Sequence, residues 1–144
     1  MLGSLFASKN QKLVKGWVKE HEKIVVLAHK IIAAYSEHDH ASVRKYLLEL
    51  NKVAVVHLMT EDIEFYRLLK DNKRKNDEIE KLVNEFTRSF KETKTTLREF
   101  LLKYTLPDAI YDDDFFKTFN IIVEVLADRI GFEENNLYAV MKSR

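Results

Sequence analysis

The chain of 144 residues has no cysteine, one proline and three glycines. Without cysteine it can form neither a disulfide nor a thiolate metal site, and it suits a reducing compartment. With so few turn residues it cannot be a β-rich fold, which needs turn signals about every 8–12 residues. Charge of one sign is also lacking. The 24 basic residues face 23 acidic ones, for a formal net charge of +1, so no whole-chain attraction to nucleic acid follows and none is expected. No apolar run approaches the ~18 residues of a membrane span, so no transmembrane segment is expected. The opening Met1-Leu2-Gly3-Ser4-Leu5-Phe6-Ala7 is too short for a signal-peptide core with its charged flank. A cytoplasmic location is the expectation. There is no Gly-rich phosphate loop and no Ser/His/Asp signal, so no enzyme is expected either.

What is present is regular apolar spacing. The hydrophobic fraction of 46% supplies a sizeable core for one domain over 1–144, with residues 1–9 reading as a loose N-terminal segment. Leu13, Trp17, His21, Ile24, Ala28, Ile31 and Tyr35 step by fours and threes, as do Val43, Leu47, Leu50, Ala54, His57, Glu61, Phe65 and Leu68. A third stripe runs Leu82, Phe86, Phe90, Thr93, Leu97, Phe100, Tyr104, and a fourth Phe119, Ile122, Leu126, Arg129, Glu133, Leu137, Val140. Such stripes are the seams of helices in a bundle. Short polar links separate them: Ser36 to His40, with Asp39 as N-cap of the second helix; Asp71 to Asn76, a basic solvated tip; and Leu106-Pro107-Asp108 to Asp114. Short links join antiparallel neighbours, so the spacing predicts an all-α, up-down-up-down four-helix bundle.

The chain also repeats itself. His57-Leu58-Met59-Thr60-Glu61-Asp62 leading to Phe65-Tyr66 matches, 72 residues on, Arg129-Ile130-Gly131-Phe132-Glu133-Glu134 leading to Leu137-Tyr138. Trp17 and His21 with Tyr35 match Phe86 and Phe90 with Tyr104 at an offset of 69. Each half is a two-helix unit, but the first carries His21, His57 and Glu61 where the second carries Phe90, Arg129 and Glu133.

Five strongly polar residues therefore fall on apolar stripes: His21, His57, Glu61, Arg129 and Glu133. A helix stacks His57 above Glu61, and Arg129 above Glu133. Buried charges need partners or a metal, since an isolated ion is several kcal/mol too costly inside a protein. Five at matching depth read as one built site. The other polar candidates read as ordinary. His29 is turned roughly 80° from His21, His38 and His40 lie in a link, and Lys91 and Lys94 either reach a carboxylate or, more commonly, extend outwards. Tyr66 and Tyr138 read as packing residues.

His21 in Glu20-His21-Glu22-Lys23-Ile24, Leu47-Leu48-Glu49-Leu50 leading through His57 and Glu61 to Tyr66, and Glu133-Glu134 with Leu137-Tyr138 together resemble the hemerythrin-like HHE cation-binding family. The resemblance implies a four-helix bundle around a non-haem di-iron site, with His ligands and bridging carboxylates. It also implies oxygen binding, oxygen or redox sensing, or iron handling as functions. Here Phe90 and Arg129 stand where two ligating His are expected. Phe cannot ligate, and Arg brings a fixed charge instead of a lone pair. What the resemblance leaves is His21, His57, Glu61 and Glu133, holding at most one iron or similar divalent ion, with Arg129 as a substitute cation in the second subsite. The missing ligands tilt the expectation toward a metal-free hydrogen-bonded network. In either form a sensor or interaction module with an unknown protein partner is implied. A patchier similarity, through Leu13-Val14-Lys15-Gly16-Trp17 and Leu126-Ala127-Asp128-Arg129, is to the regulator of sigma D family. It implies a metal-free bundle that sequesters a sigma factor.

Overall fold

The computed structural model describes residues 8–72 and 76–143. Helix α1, Lys9–Ser36, begins on a capping box: the Gln11 amide donates to the Ser8 hydroxyl at 3.1 Å, and the Ser8 amide donates to the Gln11 side chain at 3.0 Å. These bonds satisfy amides that an uncapped helix would leave open. The helix ends at Glu37, and the chain reverses through His38, whose φ of 57° is left-handed. The amides of His38 and Asp39 close the turn on the carbonyls of Tyr35 and Ala34, a common helix-terminating pattern. Asp39 then caps α2, His40–Leu50, by accepting from the Ser42 amide. That helix continues through a π-helical turn, Asn51–Val55, into α3, Val56–Asn72.

Asn76 caps α4, Asp77–Ser89, whose first turn carries Asp77, Glu78 and Glu80 at the positive end of the helix dipole. After a break at Phe90, Lys91 and Glu92 comes α5, Thr93–Tyr104. Asp112 caps α6, Asp113–Phe132, which passes through a second π-helical turn, Glu133–Leu137, into α7, Tyr138–Lys142. The result is an all-α four-helix bundle: α1, α2–α3, α4–α5 and α6–α7 form its four arms.

Three details differ from the sequence reading. The third arm is broken where a continuous stripe was expected. The β-branched Thr93, Thr95 and Thr96 just beyond the break lower helix propensity there. Ile79, Val83 and Phe86 are buried in that arm, while Leu82 and Phe90 are only half-buried. Of the loose segment expected over 1–9, residues 1–7 lie outside the described residues, and Ser8 and Lys9 cap and begin α1. Of the basic tip, Asp71 and Asn72 are still helical, Asn76 is a cap, and 73–75 lie outside the described residues.

The core falls into two apolar clusters. One holds Ile24, Ile31, Leu47, Phe115 and Phe119, the other Trp17, Phe65, Phe86, Leu137 and Met141. Along each polar-bearing arm the seam residues fall between them: His21 between Trp17 and Ile24, Glu61 between Leu58 and Phe65, Arg129 and Glu133 between Leu126 and Leu137.

Candidate metal centre

All five polar seam residues are buried, none more than 3% exposed. Three arms supply them: α1 gives His21, α3 gives His57 and Glu61, and α6 with its following turn gives Arg129 and Glu133. His21, His57, Glu61 and Glu133 each offer one ligand atom, and these atoms all lie within 4.8 Å of one another. That is close to the ~4 Å that separates opposed ligands about one ion. His21 Nε2 and His57 Nε2 face each other at 2.9 Å. The outer nitrogen of each ring meets a carboxylate: His57 Nδ1 lies 2.6 Å from Glu20 and His21 Nδ1 lies 3.3 Å from Glu134. A carboxylate accepts only, so both Nδ1 atoms carry the proton. Both Nε2 lone pairs then point inward, and the gap between them requires a cation, either a proton or a metal ion. Outer carboxylates of this kind orient imidazole ligands.

In the metal-free chain the network fills this gap with a proton. Burial opposes protonation of His57, but the hydrogen bond with Glu61 and the charges of Glu61 and Glu20 outweigh it and raise its pKa. Burial and the neighbouring His57 charge lower that of His21. A proton on His57 Nε2 thus faces both His21 Nε2 and Glu61 Oε1, each 2.9 Å away. Burial pushes against ionisation of Glu61 as well, yet the hydrogen bonds with His57 and Glu133 hold its pKa down. Glu133 goes the other way. Burial beside the Glu61 carboxylate pushes it up to about 11, against the opposing pull of Arg129. One carboxylate ionised and its neighbour neutral is the usual outcome for two acids sharing a buried site. Glu61 Oε1 lies 2.9 Å from His57 Nε2, which donates to it when protonated, and Glu133 Oε1 lies 3.4 Å from His21 Nε2. When the Nε2 atoms carry no proton, both oxygens lack a donor, which is costly for buried acceptors. The donor set thus fits one cation: two imidazole nitrogens and two inward-facing carboxylate oxygens, a hard-to-borderline set suited to first-row divalent ions.

This geometry agrees with a comparison of the whole chain. The family model of the hemerythrin HHE cation-binding domain matches residues 12–141. The chain belongs to the hemerythrin HHE cation-binding family. Neither the comparison with curated proteins nor that with solved structures gave a match, and the similarity to the regulator of sigma D family found no support. Against the hemerythrin pattern, the two positions where His was expected behave differently. Phe90 falls in the α4–α5 break and packs on Phe86 and Phe132, with ring centroids 5.3 and 5.8 Å apart. Arg129 points into the cluster. Its Nε donates to Glu133 at 3.4 Å, and its Nη2 lies 3.3 Å from Asp62 and 3.7 Å from Glu61.

Four residues of this hemerythrin site were not legible as such. Tyr138, read as packing, is buried and donates a short hydrogen bond to Glu61, while its oxygen lies 3.2 Å from His21 Nε2. Its repeat mate Tyr66, also read as packing, is 67% exposed. The π-helical turn Glu133–Leu137 separates the two cases. A wide turn holds one residue more than an α-turn and advances the phase by roughly 100°. Tyr138 and Met141 are therefore buried, and Val140 from the expected stripe is only half-buried. Glu20, Glu134 and Asp62 sit beside stripe positions, where a sequence shows only another helical acid. Lys94, read as extending outwards or reaching a carboxylate, donates to Asp62 at 3.1 Å. His29, His38 and His40 are exposed and outside the cluster.

Proposed function

We propose that this hemerythrin-family domain binds one divalent metal ion through His21, His57, Glu61 and Glu133, and that it works as a sensor or interaction module without turnover. The inward-facing Nε2 pair of His21 and His57, 2.9 Å apart with each outer nitrogen on a carboxylate, carries the reading. Bound there, the ion supplies a Lewis-acidic or redox-active centre. Around it Glu20 and Glu134 orient the imidazoles, Tyr138 holds Glu61 in place, and Arg129 supplies the fixed charge that a second ion would otherwise bring. A single cation site beside a guanidinium suits a change of occupancy better than it suits bond-making chemistry.

The test is elemental analysis of protein purified anaerobically without a metal-affinity tag. One iron or similar ion per chain, lost in His57→Ala, is the expected result. Two ions per chain, or none even after incubation with Fe(II) or Zn(II), overturns it. The metal-free interaction module is the second reading. Val56, Met59, Ile63 and Tyr66 favour it, each more than half exposed and together a second apolar stripe on the outer face of α3. Contiguous exposed apolar side chains mark interaction surfaces. Metal-free protein that co-purifies with a partner such as polymerase subunits would support that reading.

A further inference from the structure

A cavity of about 370 Å³ opens between α3 and the α4–α5 junction. None of the four candidate ligands lines it. Phe65, Leu69, Val83, Phe86 and Phe90 make apolar walls, and Arg129, Lys91 and Lys94 bring cations. Arg129 is 2% exposed, and its Cζ lies 4.9 Å from the centroid of the Phe86 ring. A largely apolar pocket of about 300 Å³ or more with a few convergent polar groups is the usual form of a small-molecule site.

Asp62 shows what those cations recognise. One of its carboxylate oxygens accepts from Arg129 Nη2 at 3.3 Å and the other from Lys94 Nζ at 3.1 Å. Two cations from different arms thus clasp one carboxylate at the edge of an aromatic cavity. The Asp62 side chain is 40% exposed, so it can turn to solvent without burying a charge. A bare inorganic anion would use the cations but leave the aromatic walls against water. A neutral apolar molecule would use the walls but leave the cations with Asp62.

We propose that this cavity binds a compact organic carboxylate with an aromatic or branched apolar body, whose carboxylate displaces Asp62 from between Lys94 and Arg129 while its body lies against Phe86 and Phe90. Binding draws on none of the four candidate ligands, so it occurs in the metal-free chain and stands or falls apart from the metal reading.

Titration calorimetry on EDTA-treated protein tests this with phenylacetate as probe, phenylacetamide as its uncharged counterpart and inorganic phosphate as the bare anion. Phenylacetate should bind saturably, and both comparison molecules at least about tenfold more weakly, the worth of a lost charge-assisted contact or of lost apolar burial. Removing the resident competitor separates this site from any general apolar surface. Asp62→Ala and Asp62→Asn should each bind phenylacetate about tenfold more tightly, while Lys94→Ala, a change at a half-exposed side chain, should weaken it. Phe90→Trp should weaken it too by filling the cavity. Equal binding of phenylacetate and phenylacetamide, tighter binding of phosphate, no saturable signal in either Asp62 variant, or unchanged affinity in all of them would overturn the proposal.

Discussion

At the scale of the residue, two carboxylates of the same type in one cluster occupy opposite protonation states. Burial beside Glu61 holds Glu133 neutral, whereas hydrogen bonds with His57 and Glu133 hold Glu61 ionised. Glu133→Gln, which copies the neutral acid in shape but gains no charge on unfolding, should therefore melt near the parent at about pH 4.5 and above it at neutral pH in the metal-free protein. It should also abolish the rise in melting temperature on adding Zn(II). Because the folded-state pKa of Glu133 lies above its unfolded value, its contribution to stability is full below about 4.5 and is lost as pH rises toward about 11. The Gln variant should show a shallower fall over that window. Glu61→Gln should instead destabilise the metal-free chain strongly, since it removes the anion between His57 and Arg129. Arg129 can be argued the same way. Truncation leaves Glu61 facing Glu133 with no fixed cation, and breaking such a buried pair costs about 3–5 kcal/mol. Arg129→Ala should show that loss in denaturant melts and recover part of it with Zn(II) or Fe(II). Arg129→His should bind metal more tightly than the parent. A parent-like melt for Arg129→Ala would remove the cation from the site. The identities of these five residues, and their meeting in the interior, were legible because polar residues on an apolar stripe have nowhere else to go. The split between Glu61 and Glu133 was not, since it depends on which oxygens and nitrogens meet across arms.

At the scale of the element, the π-helical turn Glu133–Leu137 sets which side chains beyond it reach the site. The apolar stripes were enough to find four arms, and Asp39 was legible as a cap, because three-four spacing and capping chemistry are local. A wide turn leaves no local mark: Glu133-Glu134-Asn135-Asn136-Leu137 reads as an ordinary stretch of helix. The phase shift it causes is why Tyr138 is inside and Tyr66 outside, although the repeat aligns them. The break at Phe90–Glu92 is similarly unmarked by Pro or Gly. Deletions can test the role of the turn. Removing exposed Asn135 converts the wide turn to an α-turn and keeps α6 and α7 in their present phase, so the variant should fold and melt near the parent. Removing exposed Ala127, within regular helix, rotates everything beyond it by about 100° and should prevent cooperative folding. Circular dichroism melts of the two variants check this, and equal damage from both would show that the turn is not an extra residue in an otherwise regular helix.

At the scale of the whole molecule, the polar layer divides the interior into a larger apolar cluster and a smaller, aromatic-rich one beside the site. The larger cluster should govern stability without touching the chemistry. Phe119 is fully buried there, and Phe119→Ala should cost about 3–5 kcal/mol in urea melts while the metal content per chain stays that of the parent. A change in stoichiometry would mean that the two clusters do not act separately. The smaller cluster has a different use, which follows from a count. The chain contains one tryptophan, and Trp17 lies in this cluster with its ring centroid 6.2 Å from that of His57 and 5.6 Å from that of Tyr138. Every photon of indole emission therefore originates beside the imidazole whose proton a metal ion must replace. A charged imidazole and a paramagnetic ion quench indole light by different routes and to different extents. The unlabelled protein thus carries its own optical gauge of what fills the gap between His21 and His57, readable in a cuvette or a stopped-flow cell without altering a residue.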